Sequence, residues 1–357
     1  MHIHSIPAAN LTPDVLSAWS ALLAANAALD SPYYRPEFAQ AVAAVRPNVR
    51  IALFEERDEI VGVLPFQRSR WGAGQPVGGR LNDFHAAVVR PGLRWTAEQF
   101  LRGCRLGSWR FTHLPAAQCD QGFAATAIEE SHYLDLSRGY DAYKAARREA
   151  GSREISKLER KSRQIEREIG PLRFETHTDD RAAFDTLLAW KSAQYRATKL
   201  ADVFAHAWPI RLLERILACR EPEFRGVLSA LYAEDRLLAV HYGMQSGGVL
   251  HSWFPAYSRD YDRYSPGLVL FLKMVEACTD LGVSRIDLGA GREQYKLSLS
   301  SGSDLVAEGC VERRRVRRLV RAAWRSSRDW VRSSPFRRPA EAMIGALRPL
   351  REWWSFR

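Results

Sequence analysis

The sequence predicts an α/β (α+β) protein of two related halves, each a mixed, mostly antiparallel sheet flanked by helices. Helical and strand patterns alternate along the whole chain, which is typical of a mixed fold. In addition, residues 52–67 align without gaps with residues 230–245, and each stretch has the pattern of a β-hairpin. The length of 357 residues also exceeds one average domain. Together these observations favour a duplicated unit.

The first half is predicted to span residues 1–139. It opens with a short strand, HIHSI, and a helix whose start is indicated by Thr12 and Pro13. A β-hairpin follows at Val49–Arg57 and Ile60–Phe66, and short strands are predicted at WRFTHL and HYLDL. Residues 140–170 then contain two charged helices around Gly151, which we interpret as a connector.

The second half is predicted to span residues 171–312. A strand at LRFETHT precedes two helices, Asp180–Arg196 and His206–Arg220. Three strands follow at GVLSALYAE, RLLAVHYGMQS and VLHSWFPAY, and then a helix over Pro266–Leu281. A strand at RIDLG and a last strand near LVAEGCV complete this half.

The positive charge is concentrated at the end of the chain. Residues 313–357 contain 14 Arg and three acidic residues, which equals the net charge of +11 of the whole chain. The body therefore carries 38 basic and 38 acidic residues and is neutral, so nucleic acid is an unlikely partner. The tail spaces apolar residues helically among its arginines, which predicts either a basic amphipathic helix on an anionic membrane surface or a solvated end.

Cysteine usage and hydropathy favour a cytoplasmic protein, either free or peripheral on the inner face of the membrane. The five cysteines are scattered and include no CxxC pair, so neither a disulfide framework nor a metal site is predicted. We also find no apolar run of roughly 18 residues and no pattern of a signal peptide at the start.

The block YSPG, Tyr264–Gly267, begins the predicted helix over Pro266–Leu281. Ser265 is a favourable N-cap, Pro266 suits the first helical position, and Gly282 can end the helix. Free N–H groups and the dipole at a helix start make this a candidate site for pyrophosphate. A well-capped core helix is the alternative, because the helix is apolar nearly all round.

Asp287 lies between Ile286 and Leu288 at the end of a short strand that precedes a Gly-rich turn. A carboxylate at a strand end suits a general base, and capping of the turn is the alternative. In the first half, Asn82, Asp83 and His85 follow two glycines; they predict a second polar site or, more simply, a turn.

Residues 151–311 resemble the BioF2-like acetyltransferases, a family of the GNAT superfamily that includes the cellulose-biosynthesis protein CelD and is related to the FemAB aminoacyltransferases. The stretches SPYYRPEF, VGVLPF and LNDFH resemble the N-terminal part of the same family. The motifs that carry the resemblance in the second half are Lys191 with Gln194–Arg196, His241, Pro255–Tyr257, Tyr264–Gly267, Asp287–Gly291 and the pair Tyr295 and Lys296.

The resemblance implies tandem GNAT-like domains that transfer an acyl group from acetyl-CoA or another acyl-CoA, with no metal. The acceptor would be an amine or hydroxyl, on a small molecule or glycan that serves as a polysaccharide precursor. The implied catalytic residues are Asp287, Tyr257 and His241; the cofactor-binding residues are Tyr264, Ser265, Pro266 and Gly267; and the substrate-binding residues are Lys191, Tyr195, Arg196, Tyr295 and Lys296.

Structural interpretations stay open for several of these residues. The position of His241 in an apolar strand is also typical of a hydrogen-bonded core histidine. Lys296 could equally be an exposed lysine on a helix. Two other functions are also considered: a FemAB-like transferase that uses aminoacyl-tRNA, and a non-catalytic GNAT-like subunit of a polysaccharide-synthesis complex. The neutral body argues against the first of them.

Overall fold

The computed structural model describes residues 1–313. The predicted membrane-binding tail, residues 313–357, lies outside the described residues apart from Arg313. Within the described residues, no helix is both long enough and apolar enough to span a membrane.

Seven strands and three helices form the first half. The strands are β1 (His2–Pro7), β2 (Val49–Glu56), β3 (Glu59–Arg68), β4 (Ala73–Gln75), β5 (Val88–Val89), β6 (Ser108–Pro115) and β7 (Ala125–Asp135). The helices are α1 (Pro13–Ala24), α2 (Pro36–Ala43) and α3 (Ala97–Gly103). As its sequence predicts, α1 starts with Thr12 as N-cap, whose hydroxyl accepts a hydrogen bond from the Val15 amide.

The connector folds as two helices, α4 (Gly139–Glu149) and α5 (Glu154–Glu168). The second half then contains strands β8 (Leu172–Glu175), β9 (Arg220–Glu221), β10 (Phe224–Ala233), β11 (Arg236–Ser246), β12 (Val249–Tyr257), β13 (Arg285–Ala290) and β14 (Gly302–Glu312). Its helices are α6 (Arg181–Ala197), α7 (Ala207–Ala218), α8 (Pro266–Ala277) and α9 (Gln294–Leu299).

The described residues form one 14-stranded sheet rather than two separate ones. Twelve strands follow the order β1-β2-β3-β4-β6-β14-β7-β13-β12-β11-β10-β8, while β5 pairs with β3 and β9 with β10. Only the pairs β12/β13 and β4/β6 are parallel. The two stretches that align in sequence form the hairpins β2/β3 and β10/β11, near opposite ends of the sheet. The predicted fold class is confirmed.

The two halves exchange their last strands at the centre of the sheet. β14, from the end of the second half, pairs with β6 of the first half, and β7, from the first half, pairs with β13 of the second. β7 and β14 also pair with each other over eight residue pairs. Each half therefore completes the sheet of the other. The domain boundaries at residues 139 and 171 stay predictions.

One apolar core joins the halves on the face of the sheet that carries α1, α2, α6 and α7. It contains Trp19 and Phe38 from the first half and Leu213 and Tyr242 from the second, all at most 1% exposed. On the opposite face, α5 and α8 pack over the strands of the second half. Burial of large apolar side chains contributes about 1.5–3 kcal/mol each, so the shared core stabilises the two halves as one body.

Helix α8 begins at Pro266 as predicted, but the prediction that the Ser265 side chain caps it was wrong. Ser265 has left-handed backbone angles (φ 52°, ψ 53°), and its side chain makes no capping hydrogen bond. Instead its Oγ accepts a hydrogen bond of 2.6 Å from Lys161 Nζ of α5. The far end differs from the prediction, because α8 ends at Ala277 rather than Leu281. A turn follows in which Gly282 has φ +68° and the Val283 amide donates to the Cys278 carbonyl at 2.9 Å.

Candidate functional site

A carboxylate–imidazole pair joins the two halves beside β13. His251 Nε2, on β12, lies 3.0 Å from Oδ2 of Asp83, which belongs to the first half. The His251 side chain is fully buried, whereas that of Asp83 is 31% exposed. Burial raises the pKa of Asp83, but the hydrogen bond and charge of His251 lower it by more, so the net shift of the pKa is downward. Asp83 therefore presents an ionised carboxylate to solvent with an imidazole behind it.

The loop that carries Asp83 is held in place by the residues that precede it. Gly78 and Gly79 adopt positive φ angles, which allows the short 3-10 turn Gly79–Leu81. The Asn82 side chain donates to the Val77 carbonyl at 2.9 Å, and the Asn82 carbonyl lies 3.3 Å from Nδ1 of His113. These contacts hold the Asp83 carboxylate at the junction of the halves.

Aromatic rings and a second histidine surround the pair. Tyr33 packs edge-on against His251 (4.9 Å between ring centroids) and against Trp253 (5.8 Å). Burial and the negative charge of Asp83 raise the pKa of Tyr33 well above its ordinary value, so its hydroxyl stays protonated. His241, on β11, lies with Nε2 2.9 Å from Ser252 Oγ, and burial lowers its pKa to about 3. His241 is thus a neutral, buried imidazole.

Asp287 lies opposite His251 in the pairing of β13 with β12. Its side chain is nearly fully buried, and its Oδ1 accepts a 2.7 Å hydrogen bond from Arg285 Nε. Burial raises its pKa despite the opposing charge of Arg285. Two residues on, Gly289 has φ +72°, and a Cβ there would lie 3.6 Å from Asp83 Oδ2 and 3.8 Å from His251 Cε1. The Gly289 backbone therefore adjoins the Asp83–His251 pair.

Lys296 adds a positive charge to the same region. It is buried on α9, and its Nζ donates to the Ala290 carbonyl at 2.8 Å and pairs with Glu293 at 3.3 Å. Its charge contributes to the lowered pKa of Asp83. The neighbouring Tyr295 is partly buried among apolar residues, and burial raises its pKa to about 12. Two of the residues predicted from sequence, Asp287 and Lys296, thus lie close to the Asp83–His251 pair. Tyr295 is the chain neighbour of Lys296.

The parallel strands β12 and β13 diverge at this position. They pair over only three residues, Val249–His251 with Arg285–Asp287. β12 then continues to Tyr257 and β13 to Ala290 without further pairing between them among the described residues. The facing backbone N–H and C=O groups of the diverging strands are available to an extended ligand, as in β-strand addition.

Tyr257 and the start of α8 lie at the open end of this gap. A Cβ on Gly267 would be 2.9 Å from Tyr257 Cδ1, so the glycine allows the ring to pack against the first turn of the helix. Tyr257 is six residues from His251, which is about 20 Å along a strand. Two predicted catalytic residues, Asp287 and Tyr257, thus lie at opposite ends of the gap. Tyr264 is buried, and its hydroxyl donates to Glu168 at 2.8 Å.

The predicted substrate-binding residues of α6 differ in their surroundings: Lys191 and Tyr195 are buried or partly buried, whereas Arg196 is exposed. Lys191 is only 8% exposed, its Nζ donates to Gln194 Oε1 at 3.0 Å, and burial lowers its pKa to about 8. Within residues 1–313 no carboxylate pairs with it. Tyr195 lies beside it, and burial together with the charge of Asp83 raises the pKa of Tyr195 to about 12. Arg196 instead points to solvent and pairs with Asp202.

Sequence reasoning missed the most important partner of the site. His251 lies in the apolar stretch VLHSWF, and no local pattern distinguishes it from the core histidine expected at His241. Asp83 carried a signal, because it follows two glycines in a polar stretch, but a turn was the simpler interpretation. Tyr33 lies in the stretch SPYYRPEF, which resembles the family, but no role was predicted for it or for Arg285.

Among the described residues, one group has the composition of a metal site: His2, His4 and Glu55. Both Nδ1 atoms lie within 3.7 Å of Glu55 Oε2, at the edge pair β1/β2. This edge is one end of the sheet and is separated from β13 and β12 by β3, β4, β6, β14 and β7. The prediction of a reaction without a metal stays a prediction.

Comparison with known proteins relates this arrangement to one domain type. Residues 152–297 match the acetyltransferase (GNAT) domain. No curated protein matches the chain in sequence.

Solved structures extend the likeness to the whole described fold. FemX is similar with a TM-score of 0.54 at 10% identity, over 81% of this chain and 93% of that one. A tandem GNAT protein from the clavulanic acid biosynthesis pathway has a TM-score of 0.50 at 12% identity, over 88% and 98%. The C-terminal DUF2156 domain of a proposed lysylphosphatidylglycerol synthetase from Agrobacterium fabrum has a TM-score of 0.51 at 11% identity, over 86% of this chain and 94% of that one. At these identities the likeness concerns the fold alone.

Proposed function

We propose that the protein transfers an acyl group from an acyl-CoA thioester to an amine or hydroxyl at the junction of its two halves. The observation that carries this proposal is the position of the Asp83–His251 pair at the point where β12 and β13 diverge. A thioester bound in the gap would have its reacting carbonyl beside an ionised carboxylate. The match of residues 152–297 to a GNAT acetyltransferase domain supports the same reaction class.

The donor is proposed to lie along the gap in an extended conformation. Its pyrophosphate would lie at the start of α8, where the positive end of the helix dipole and the Lys161 ammonium favour an anion. Its thioester would lie near His251 and Gly289, about 20 Å away along β12. This separation suits the long flexible arm of coenzyme A. In this arrangement Tyr257 lines the phosphate end of the site.

Asp83 is the proposed general base. As the acceptor nitrogen attacks the thioester carbonyl, the N–C bond forms and the nitrogen becomes acidic, so even a carboxylate of low pKa can take its proton. The C–S bond of the tetrahedral intermediate then breaks, and coenzyme A leaves as a thiolate that takes up a proton to give the free thiol. His251 holds the carboxylate in position and stabilises its charge. Asp287 is the weaker candidate, because its carboxylate is buried and paired with Arg285.

The acceptor is proposed to bind on the α6 side of Asp83. Lys191 and Tyr195 lie there, and a buried ammonium without an acidic partner among the described residues suits an anionic group such as the phosphate of a sugar nucleotide. An acceptor that is a sugar or polysaccharide precursor agrees with the resemblance of the sequence to the BioF2-like family.

The test combines binding and turnover. Calorimetric titration with acetyl-CoA should give saturable binding, and release of free CoA thiol should require an acceptor from a panel of amino sugars and nucleotide-linked amino sugars. Asp83→Asn should bind acetyl-CoA as the parent protein does and transfer the acyl group about 10²–10⁴-fold more slowly. Absence of acetyl-CoA binding at millimolar concentration, or transfer only from aminoacyl-tRNA, would reject the proposal.

A further inference from the structure

A basic cavity of about 670 Å³ opens at the turn between α4 and α5, on the side of α9. Its lining includes four basic side chains, Arg147, Arg153, Lys157 and Arg160, and a single acidic one, Glu154. This volume is within the range of small-ligand sites in proteins. The net positive charge favours a ligand that carries negative charge.

Three of these four cations have no carboxylate partner among residues 1–313, and Lys157 alone is paired. Lys157 pairs with Glu154 at 3.1 Å, and Arg147 donates to the Ser300 carbonyl. Arg153 and Arg160 have no carboxylate within 4.0 Å anywhere in residues 1–313. Guanidinium groups without a carboxylate partner bind phosphate well, because their planar forks match its oxygens.

The cavity adjoins the proposed pyrophosphate position. Lys161 follows Arg160 directly and lies one helical turn beyond Lys157 on α5. Its Nζ bonds to Ser265 Oγ at 2.6 Å and to the Arg263 carbonyl at 3.0 Å, at the start of α8. From Lys157 to Lys161 the helix rises about 6 Å. The α5 helix therefore connects two cationic positions at the separation of neighbouring phosphates within one nucleotide.

The wall of the cavity opposite α5 is fixed by the protein itself. Ser152 Oγ donates to the Ser298 carbonyl at 2.9 Å, and Tyr143 donates to the Leu299 carbonyl at 2.7 Å. Leu297 and Ser298 of α9 line this side. A bounded cavity of this kind suits a single nucleotide, whereas a polynucleotide needs a continuous basic groove with stacking surfaces.

We infer that this cavity binds the 3′-phosphate of the adenosine end of a coenzyme A donor, while Lys161 and the start of α8 bind its pyrophosphate. The inference rests on the proposed function and deepens it, because it makes the protein selective for coenzyme A over its 3′-dephospho form. Arg160 and Lys157 provide this selectivity, because among the basic residues of the cavity they are the nearest along α5 to Lys161.

Calorimetry with coenzyme A and dephospho-coenzyme A tests the inference on the full chain. The parent protein should bind coenzyme A about tenfold more tightly. The double variant Lys157→Gln/Arg160→Gln should bind both forms equally, with unchanged affinity for dephospho-coenzyme A. That unchanged affinity also reports that the variant is folded. Arg163→Gln, which removes an exposed charge from the same helix outside this cavity, is the matched control and should keep the tenfold preference.

The outcomes separate this inference from the proposed function. Equal affinity of the parent protein for both forms, together with acyl transfer, overturns the inference and leaves the function intact. Failure to bind either form overturns both. Charge-dependent binding of aminoacyl-tRNA that the double variant abolishes, with no preference between the two coenzyme forms, assigns the cavity to nucleic acid and overturns the inference.

Discussion

His251 Nε2 and Asp83 Oδ2 are 3.0 Å apart although 168 residues separate them in the chain. The pair joins the second half to the first, and its partly exposed member faces the gap between β12 and β13. The pair therefore forms only when both halves of the chain are in place.

Replacement of Asp83 by Asn should remove the base and keep the shape of the site. We expect kcat/KM to fall by about 10²–10⁴, the usual contribution of a general base, with little change in the Kd for acetyl-CoA. Steady-state kinetics and calorimetry on the same preparation measure both quantities. A fall of less than threefold would remove Asp83 from the mechanism.

The same substitution should change stability in a pH-dependent way. The folded pKa of Asp83 is below its unfolded value of about 3.9, so its bond to His251 contributes stability above that pH and loses it as the pH falls further. We expect Asp83→Asn to lower the free energy of unfolding by about 1.5–3 kcal/mol at pH 6. The difference from the parent should shrink below about pH 4 in denaturant titrations. A constant difference down to pH 3 would contradict this expectation.

Lys191 provides a second pH-dependent effect, but here the charged form of the side chain destabilises the fold. Its folded pKa of about 8 is below the unfolded value of about 10.4, so below pH 8 the fold holds an ammonium at a cost on the order of 3 kcal/mol. Lys191→Met should therefore be more stable than the parent at pH 7, and the two should converge as the pH rises from 8 to about 10.4. Thermal unfolding across this range measures the difference. A less stable Lys191→Met at pH 7 would mean that the amine has a stabilising partner.

Gly289 and Gly282 form a matched pair for testing the gap. Both have positive φ angles, +72° and +68°, so replacement by Ala should destabilise each variant by about 1–2 kcal/mol. Only Gly289→Ala places a methyl group beside Asp83 and His251; nothing lies within 4 Å of a Cβ on Gly282. We expect kcat/KM to fall roughly tenfold to a hundredfold in Gly289→Ala alone. Equal activity of the two variants would place the reacting group elsewhere.

The strand exchange predicts that the halves fold only together. Residues 1–139 alone would leave β6 without β14, and residues 140–313 alone would leave β13 without β7. We expect neither fragment to show a cooperative thermal transition by circular dichroism, and the full chain to show a single one. A cooperative transition in either isolated fragment would contradict the exchange as a condition of folding.

Much of the fold could be predicted from local patterns, because apolar periodicity and turn residues act within a few positions. The hairpins β2/β3 and β10/β11 and the start of α8 at Pro266 agree with their sequence signals. The Ser265 cap failed for a tertiary reason: its hydroxyl bonds to Lys161, a residue 104 positions away, rather than to its own helix.

By itself, the sequence determined the alternation of strands and helices, the duplication, and the concentration of positive charge in residues 313–357. Only the tertiary structure decided that β7 and β14 are exchanged and that Asp83 meets His251. The physical reason is that a strand pattern encodes which side chains are buried, but not which distant edge its backbone will pair with. The candidate site depends on that second choice.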